Sequence, residues 1–429
     1  MPKFLKVFET FAGIGAQHKS IKYVNSQNKD VNLKIVATSE WDARSIITYA
    51  AIHNQLHKEN IEKILNKKNL NEEKNLNNYL KDKIFSLDSK YHSKGIISKS
   101  LEFKKTLTAA NILNNNLSDI TKIKSSILDD LDIDLITYSF PCQGLSVANM
   151  GRDSGILNDK STSHLIWEIG RLLSNSNKKP KYLLLENVKA LVGKYSKEYD
   201  KWKTFLKSLG YKTFTAVLNA KNHGSLQRRE RVFALSTLKH IPTPFKNDKE
   251  YENYINNIGL KSKLKNIREQ EKKYRNIFDL NNTLELEAKN AAIRNTKSRH
   301  KMIELGKCLN DINLAKTKEF TINTLTTRQD RFPNAGYINY ETNDERYLNH
   351  RFITPREAFK IMGFENSDFD KLNYFIKREI LTKTSLYRFA GNSIDVNVLK
   401  SVFKTIQDVE INLMKEKIKN DKKWQNNKK

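Results

Sequence analysis

The sequence predicts an α/β protein built on a parallel sheet and followed by a second, smaller domain. The first observation is that short apolar runs alternate with helical patterns through the N-terminal half, as in parallel sheets. The second is that four of these runs lead into polar or glycine-rich clusters, and ligands of such sheets bind beyond the carboxyl ends of the strands. The third is that this alternation weakens between about residues 238 and 320, where Lys and Asn dominate.

The apolar runs 4–8, 35–38, 135–138 and 182–185 are the predicted strands of the sheet. A fifth run, 232–235, follows a basic segment. Two amphipathic helices lie between these strands, because apolar residues recur at helical spacing in two stretches: Leu165, Ile166, Ile169, Leu172 and Leu173 in one, and Trp202, Phe205, Leu206 and Leu209 in the other. Gly210 supplies the stop of the second helix.

Two regions depart from this alternation. Residues 55–118 are rich in Lys, Asn and Glu and predict an inserted, largely helical surface region. From residue 238 the pattern indicates the start of the smaller domain. The α/β pattern returns near Phe320, and Pro355 is well placed for the first turn of a further helix.

Composition excludes several classes of protein. The chain has 429 residues, of which 38% are hydrophobic, so it can fold around a sizeable core. No run of about 18 apolar residues is present, so no membrane span is expected. Two cysteines, Cys142 and Cys308, exclude a disulfide framework and argue against a zinc site of paired cysteines. We therefore expect no metal and a reducing, cytoplasmic location.

The charge balance is strongly basic, with 76 Lys and Arg residues against 48 Asp and Glu residues and a net charge of +28. Such an excess favours a polyanionic partner, because cations near phosphates release counterions. The alternative is a genome bias towards Lys, Asn and Ile on solvated faces. Charge alone leaves both interpretations open and favours nucleic acid.

A glycine turn follows the first predicted strand, with Gly13 and Gly15 in Phe-Ala-Gly-Ile-Gly. Glycines allow a tight turn and a close approach of the backbone to a ligand, although an ordinary tight turn fits as well. Glu40 ends the second strand, where a carboxylate can bind ribose hydroxyls, and Trp41 offers a flat face for an adenine. Taken separately, these two residues are better explained as a surface acid and a core aromatic.

Cys142 follows Phe140 and Pro141 at the end of a strand, where a thiol would be partly exposed. A thiolate is a strong nucleophile when nearby positive groups lower its pKa. The alternative is a buried structural thiol, which is the commoner role of a single cysteine.

Glu186 ends the next strand beside Asn187. A glutamate at the edge of the sheet can have a raised pKa and share a proton with a ligand, or it can cap a helix. In the extended segment before the run 232–235, Gln227, Arg229 and Arg231 share one face. Paired arginines suit phosphates or a carbonyl oxygen, and a solvated basic run is the alternative.

In this order, the clusters resemble the motifs of the DNA cytosine-5 methyltransferase family, and of its bacterial, mollicute-type members in particular. The matching segments are Phe-Ala-Gly-Ile-Gly, Glu40-Trp41, Asp119-Ile120, Phe-Pro-Cys-Gln, Glu-Asn-Val, Gln-x-Arg-x-Arg and Gly391-Asn392-Ser393. The resemblance covers most of residues 4–237 and 320–405. It implies a Rossmann-like, S-adenosylmethionine-dependent methyltransferase sheet with a second, smaller target-recognition domain.

The resemblance also implies domain boundaries. Residues 1–237 and 386–429 would form the catalytic domain, with the insertion 55–118. Residues 238–352 would form the target-recognition domain, and residues 353–385 a hinge. The loop after the cysteine, about 143–163, would close over DNA.

Residue roles follow from the same resemblance. Cys142 would attack C6 of a flipped-out cytosine, and Glu186 would hold N3 and the exocyclic amine. Arg229 would contact the base oxygen, and Arg231 would help order the site. The S-adenosylmethionine pocket would be lined by Phe11, Gly13, Gly15, Glu40, Trp41, Asp119, Ile120, Pro141, Leu165, Asn392 and Ser393.

Double-stranded DNA is the expected partner, and a cognate restriction endonuclease on a separate chain is a candidate partner of a monomeric enzyme. The residues expected to contact DNA are Gln227, Thr326, Thr327, Arg328, Gln329 and Arg331. Arginine can read guanine and glutamine can read adenine. A loop that contacts only the DNA backbone fits these residues equally well. CpG is one candidate target.

Four positions depart from the usual family pattern: Ala16, Ser139, Asn323 and Phe389. None of them removes a chemical group that the reaction requires. A family member acting on tRNA is the nearest alternative, and the long region 238–352 argues against it. A non-catalytic DNA-binding protein would not need Cys142 and Glu186. A nucleotide-dependent oxidoreductase would share the sheet and glycine turn but not the basic second domain.

Overall fold

The computed structural model of the chain describes residues 2–145, 154–311 and 320–426. Its strands are β1 (Lys3–Thr10), β2 (Val31–Ser39), β3 (Leu135–Tyr138), β4 (Tyr182–Val188), β5 (Tyr211–Asn219), β6 (Glu230–Leu238), β7 (Ala292–Arg294), β8 (Tyr337–Asn339) and β9 (Tyr347–Phe352). Its helices are α1 (Ala16–Ser26), α2 (Ala43–His53), α3 (Lys58–Lys67), α4 (Glu73–Lys81), α5 (Leu101–Leu113), α6 (Ile127–Asp130), α7 (Ile166–Ser174), α8 (Ser196–Ser208), α9 (Asp248–Leu260), α10 (Ile267–Ile277), α11 (Glu285–Ala291), α12 (Lys297–Leu305), α13 (Pro355–Ile361), α14 (Asn366–Asp370), α15 (Asn373–Lys377), α16 (Lys383–Asn392) and α17 (Val396–Asn426).

A six-stranded sheet in the order β2-β1-β3-β4-β6-β5 forms the centre of the protein. The first four strands in this order are parallel, with Val7 opposite Leu135 and Leu135 opposite Tyr182. All four residues of β3 are buried, because helices cover both faces of the sheet. The carboxyl ends of β1, β2, β3 and β4 therefore meet along one edge.

Two apolar cores lie on opposite faces of this sheet. Side chains that alternate along β1 divide between them, Val7 entering one core and Phe8 the other. Helices α1, α2, α5 and α17 supply the first core, and α7 and α8 supply the second, in which Trp202 is fully buried. The predicted α/β class is confirmed.

The predicted parallel sheet is confirmed for β1 to β4, and β6 and β5 extend it through antiparallel pairs. Strand β5, which the sequence pattern did not single out, pairs antiparallel with β6, and β6 pairs antiparallel with β4. Only residues 220–229 connect β5 to β6. So short a connection returns the chain antiparallel, because a parallel pair needs a crossover of a dozen or more residues.

A small antiparallel sheet, β7-β9-β8, lies within the region 238–352. Its own apolar cluster consists of Ile293, Tyr337 and Phe352. Helix α9 also belongs to this region of the sequence, yet it packs against β5 and α17. The domain boundaries stay predictions.

The inserted region 55–118 contains α3, α4 and α5. Helix α5 packs against α2, and α3 and α4 pack against α5. Its buried residues include Leu65, Leu76 and Leu107, which join the core on the α1 side of the sheet. The described part of the chain contains no helix long and apolar enough to cross a bilayer.

Candidate active site

The glycine turn after β1 has a backbone that few residue types tolerate. Phe11, Gly13 and Gly15 all have positive φ, at 54°, 53° and 80°. A Cβ on Gly15 would lie 2.5 Å from the ring of His53, so both conformation and space require glycine there. The turn thus brings the main chain close to the edge of the sheet.

Glu40 binds this turn to the end of β2. Its Oε2 accepts a hydrogen bond from the Gly13 amide (2.9 Å), and its Oε1 accepts from the amides of Trp41 (2.9 Å) and Asp42 (2.8 Å). Burial raises the pKa of Glu40 to about 7, and these main-chain donors oppose that rise. The pKa of this buried carboxyl group is therefore raised towards neutral pH, and the group forms part of the wall of a pocket.

One pocket runs along the carboxyl edge of the sheet, from Glu40 to the start of β6. Of the residues predicted to bind a cofactor, its walls include Phe11, Gly13, Glu40, Trp41, Pro141, Asn392 and Ser393. The predicted catalytic residues Cys142, Glu186, Arg229 and Arg231 line the same pocket. Four predicted cofactor residues are not among its walls: Gly15, Asp119, Ile120 and Leu165. The Asp119 side chain instead accepts a hydrogen bond from the Thr121 amide (2.9 Å).

Cys142 is partly exposed in the turn after β3. Its carbonyl accepts from the Leu145 amide (2.9 Å), and the Pro141 carbonyl accepts from the Ser163 hydroxyl (2.6 Å). Burial raises the pKa of the thiol, whereas the positive charges of Arg231 and Arg229 lower it. The loop predicted to close over DNA includes residues 146–153, which lie outside the described residues.

Glu186 is buried near the carboxyl end of β4, opposite Phe233 of β6. Arg231 of β6 reaches it, with Nε 3.6 Å from the Glu186 Oε1. Burial raises the pKa of Glu186, while Arg231, Arg229 and a hydrogen bond from Ser139 oppose the rise. The pKa of the carboxyl group is thus raised, and the group lies beside a partly exposed guanidinium.

Arg229 has a different environment from Arg231. It is buried, and its two terminal nitrogens donate to the carbonyls of Leu325 (3.2 Å), Gly391 (3.0 Å) and Ser393 (2.9 Å). Burial lowers the pKa of Arg229 to about 9. Arg229 therefore joins its own segment to Leu325 and to the Gly-Asn-Ser segment around the pocket.

Gly391 is part of the pocket wall and lies against the backbone of Thr326 and Thr327. A Cβ at this position would lie 2.4 Å from the amide nitrogen of Thr327 and 2.5 Å from the carbonyl carbon of Thr326. Only glycine permits this contact between backbones. The predicted Gly-Asn-Ser segment and the predicted DNA-contacting segment are therefore in direct contact.

The residues predicted to contact DNA divide into two groups. Arg328 and Arg331 are exposed, and Thr326 and Thr327 are partly buried. Gln227 and Gln329 are fully buried. Gln227 accepts from the Leu325 amide (2.7 Å), and the amide nitrogen of Gln329 donates to the Gly336 carbonyl (3.1 Å). In this conformation the two glutamine side chains stabilise the loop and do not reach its surface.

The sequence patterns did not identify Gln17, Ser45 and Ser89 as walls of the pocket. Gln17 is buried in α1, and its Oε1 has no hydrogen-bond partner in the described chain. The sequence could have indicated Gln17, because it lies on the first turn of the helix that follows the glycine turn. Ser89 comes from the inserted region, where the sequence pattern gave no signal.

Comparison with known proteins identifies the family. A family model described as C-5 cytosine-specific DNA methylase matches residues 93–408. The chain is 32% identical to Type II methyltransferase M2.ScrFI of Lactococcus lactis subsp. cremoris, over 94% of this chain and 99% of that protein. It is 33% identical to Orphan methyltransferase M.SssI of Spiroplasma monobiae, over 94% of this chain and 97% of that protein.

The fold is shared with a solved structure of the Dnmt2 methyltransferase of S. pombe. The TM-score is 0.59 at 16% identity, covering 94% of this chain and 98% of the other. A methyltransferase of Entamoeba histolytica, EhMeth, gives a TM-score of 0.53 over 95% of this chain and 98% of the other. The family model spans more than half of the chain and two relatives exceed 30% identity over nearly all of it, so the protein belongs to the C-5 cytosine-specific DNA methylase family.

Proposed function

We propose that the protein transfers a methyl group from S-adenosylmethionine to C5 of cytosine in a specific duplex DNA sequence. The observation that carries this proposal is that Cys142, Glu186 and Arg231 meet at one end of a pocket whose other walls include Glu40 and Trp41. A candidate nucleophile, Cys142, and a carboxyl group that can share a proton, Glu186, thus line the same pocket as residues suited to bind a nucleoside. Family membership supports the same reaction.

The pocket contains hydrogen-bond acceptors that suit the polar groups of S-adenosylmethionine. Glu40 has two carboxylate oxygens fixed by main-chain amides, which suits ribose hydroxyls as donors. The unpartnered Oε1 of Gln17 offers a further acceptor for a polar group of the ligand. The bound cofactor would supply an electrophilic methyl group on a sulfonium ion.

The Cys142 thiol is the proposed nucleophile. Cytosine C5 is a poor nucleophile, and addition of the thiolate at C6 gives it enamine character. The thiol must lose its proton first; burial raises its pKa, and the positive charges of Arg231 and Arg229 oppose that rise. After methylation, loss of the C5 proton and departure of the sulfur restore the ring, so one proton is released in each cycle.

Glu186 and Arg231 are proposed to bind the edge of the cytosine. A buried carboxyl group with a raised pKa can donate a hydrogen bond to N3 when protonated. The resemblance assigned the base oxygen to Arg229 and an ordering role to Arg231. The contacts favour the reverse, because Arg229 donates to three carbonyls whereas Arg231 is partly exposed beside Glu186.

Access to C5 requires the base to leave the helix, because the atom is covered inside a duplex. That step costs a few kcal/mol, which contacts to the phosphates and to the opened helix must offset. The exposed Arg328 and Arg331 lie on a loop anchored to the pocket through Leu325 and Arg229. We propose that this loop faces the DNA.

Partners beyond DNA stay predictions. One relative is named a type II methyltransferase and the other an orphan methyltransferase, so the relatives differ on this point. A cognate endonuclease, a monomeric state and a cytoplasmic location are proposals that follow from the resemblance and the composition.

The decisive experiment traps the bond to sulfur. Bisulfite sequencing of DNA from cells that express the protein first identifies the target sequence. A duplex carrying 5-fluorocytosine at that target is then incubated with the protein and S-adenosylmethionine. We expect a covalent adduct that mass spectrometry assigns to Cys142, and none with Cys142→Ala, which still binds DNA.

Two results would reject the proposal. One is an adduct at another residue, or turnover by Cys142→Ala, because either removes Cys142 as the nucleophile. The other concerns the substrate: with labelled cofactor, duplex DNA and tRNA are offered separately. Label in RNA alone would identify an RNA methyltransferase.

A further inference from the structure

The inserted region 55–118 reaches the candidate cofactor pocket through the connection between α4 and α5. Ser86 donates its amide hydrogen to the Trp41 carbonyl (2.8 Å) and accepts from the Ala43 amide (2.8 Å). The segment then turns back on itself, since the Ser93 amide donates to the Phe85 carbonyl (2.8 Å). This loop, residues 85–93, is therefore bonded to the main chain directly after Glu40.

Two side chains, Asp42 and Arg44, hold the same loop, and a third, Arg388, binds Asp42. The buried Asp42 carboxylate accepts from the Ser89 hydroxyl (2.5 Å) and from Arg388 of α16 (2.6 Å). Arg44 donates to the Leu87 carbonyl (3.1 Å). A non-glycine residue with positive φ persists where its surroundings fix it, and Ser89 has a φ of 61°.

Ser89 forms part of the wall of the pocket, together with Trp41 and Phe389. Its hydroxyl hydrogen is directed to Asp42, so the oxygen lone pairs remain able to accept a hydrogen bond. Phe389 follows Arg388 on α16, which ends at the Gly-Asn-Ser segment. Asp42 therefore couples the inserted loop to another wall of the same pocket.

We propose that loop 85–93 is a wall of the S-adenosylmethionine pocket and that Ser89 is a cofactor-binding residue. Its hydroxyl, oriented by Asp42, accepts a hydrogen bond from a donor group of the cofactor. The inserted region thus completes the binding site. This inference rests on the proposed function, because it takes S-adenosylmethionine as the occupant of the pocket.

The test compares two serines of the inserted region by titration calorimetry of the full chain with S-adenosylmethionine and with S-adenosylhomocysteine, without DNA. Ser89→Ala removes the acceptor, and we expect the Kd to rise about fivefold to tenfold. Ser89→Leu fills the space beside Trp41, and we expect a rise of about fiftyfold or more. Serine at this position already has a Cβ, so neither change adds backbone strain from a new Cβ.

Ser98 provides the matched control, because it is exposed and belongs to the same connection. Ser98→Ala and Ser98→Leu should bind both ligands as the unaltered protein does. All variants should keep their affinity for duplex DNA, and the Ser98 variants should also keep their melting temperature without ligand. In turnover, the Ser89 variants should raise KM for the cofactor and leave KM for DNA unchanged.

The outcomes separate this inference from the proposed function. If the unaltered protein binds neither ligand, the proposed function itself is wrong. If it binds both and Ser89→Leu binds them equally well, loop 85–93 is not part of the pocket. Equal weakening by Ser89→Leu and Ser98→Leu also overturns the inference, because the effect then comes from the fold of the inserted region.

Discussion

The Arg231 Nε lies 3.6 Å from the Glu186 Oε1, across the antiparallel pair of β6 and β4. The pair exists because β6 runs against the direction of its neighbour. The first residues of β6 therefore lie beside the last residues of β4, at the edge where the thiol of Cys142 also lies. Because β6 is antiparallel to β4, the Arg231 guanidinium at its start lies at the edge formed by the carboxyl ends of the parallel strands.

The first prediction separates the two arginines of this segment. Arg231→Ala should lower kcat at least a hundredfold and leave the free energy of unfolding nearly unchanged, because its side chain is partly exposed. Arg229→Ala should lower the free energy of unfolding by roughly 3 kcal/mol, since three buried carbonyls lose a charged donor. Urea unfolding and single-turnover kinetics on both variants check this, and the opposite pattern would restore Arg229 as the arginine that contacts the base.

The second prediction concerns the pH dependence of cofactor affinity. The pKa of Glu40 is raised to about 7, and the proposed ribose contacts need its ionised form. Affinity should therefore be full above this pKa and fall as the pH drops through it. From pH 8 to pH 6 the Kd for S-adenosylmethionine should rise roughly tenfold, as expected for one proton bound to the free protein.

Glu40→Gln is the control for this titration. Its affinity should be lower at pH 8 and should vary less with pH, because the amide does not ionise. A Kd of the unaltered protein that is constant from pH 6 to pH 8 would show that Glu40 does not titrate in the free site.

The sequence pattern predicted the α/β class and the edge of the sheet at which the candidate site lies. Cys142, Glu186 and Glu40 follow apolar runs, and the carboxyl ends of parallel strands necessarily meet at one edge. Strand β5 was not singled out, although buried residues alternate along it with partly exposed ones such as Lys212 and Thr215, as in a half-buried strand.

Other features of the site depend on contacts between residues that are far apart in the chain. Gln227 looked like a surface residue in a basic run, yet its side chain accepts from Leu325, 98 residues further along. Ser89 belongs to a region whose pattern indicated only a surface insertion. Neither position carries a local signal, because burial and bonding there are set by tertiary packing.

The third prediction tests the proposed DNA face. Arg328 and Arg331 are exposed on a loop that Gln329 stabilises from within. If each arginine contacts a phosphate, Arg328→Ala and Arg331→Ala should each reduce the slope of log K against log salt by about 1. Binding of a duplex that contains the target sequence, measured between low and physiological salt, gives this slope.

The comparison of target and unrelated duplexes adds a second readout. A phosphate contact should weaken binding to both duplexes equally, whereas a contact to a base edge should weaken binding to the target more. An unchanged slope and unchanged affinity in both variants would place the loop away from DNA.

The fourth prediction concerns the ion pair that joins β9 to α13. Arg351 is fully buried and donates to both carboxylate oxygens of Glu357, at 2.9 and 3.1 Å. Glu357 also accepts from the amides of Thr354 (2.6 Å) and Asp279 (2.8 Å). Arg351→Leu leaves a buried carboxylate with main-chain donors only, so we expect the free energy of unfolding to fall by about 3 kcal/mol.

The double variant Arg351→Leu/Glu357→Gln distinguishes pairing from packing. Because the unpaired charge is removed together with its partner, the double variant should lose less stability than the two single variants combined, by about 1 kcal/mol or more. Urea unfolding of the four proteins gives this coupling energy. Additive losses would mean that Arg351 stabilises the junction through its bonds to the Asp279 carbonyl and the Asn282 side chain rather than through Glu357.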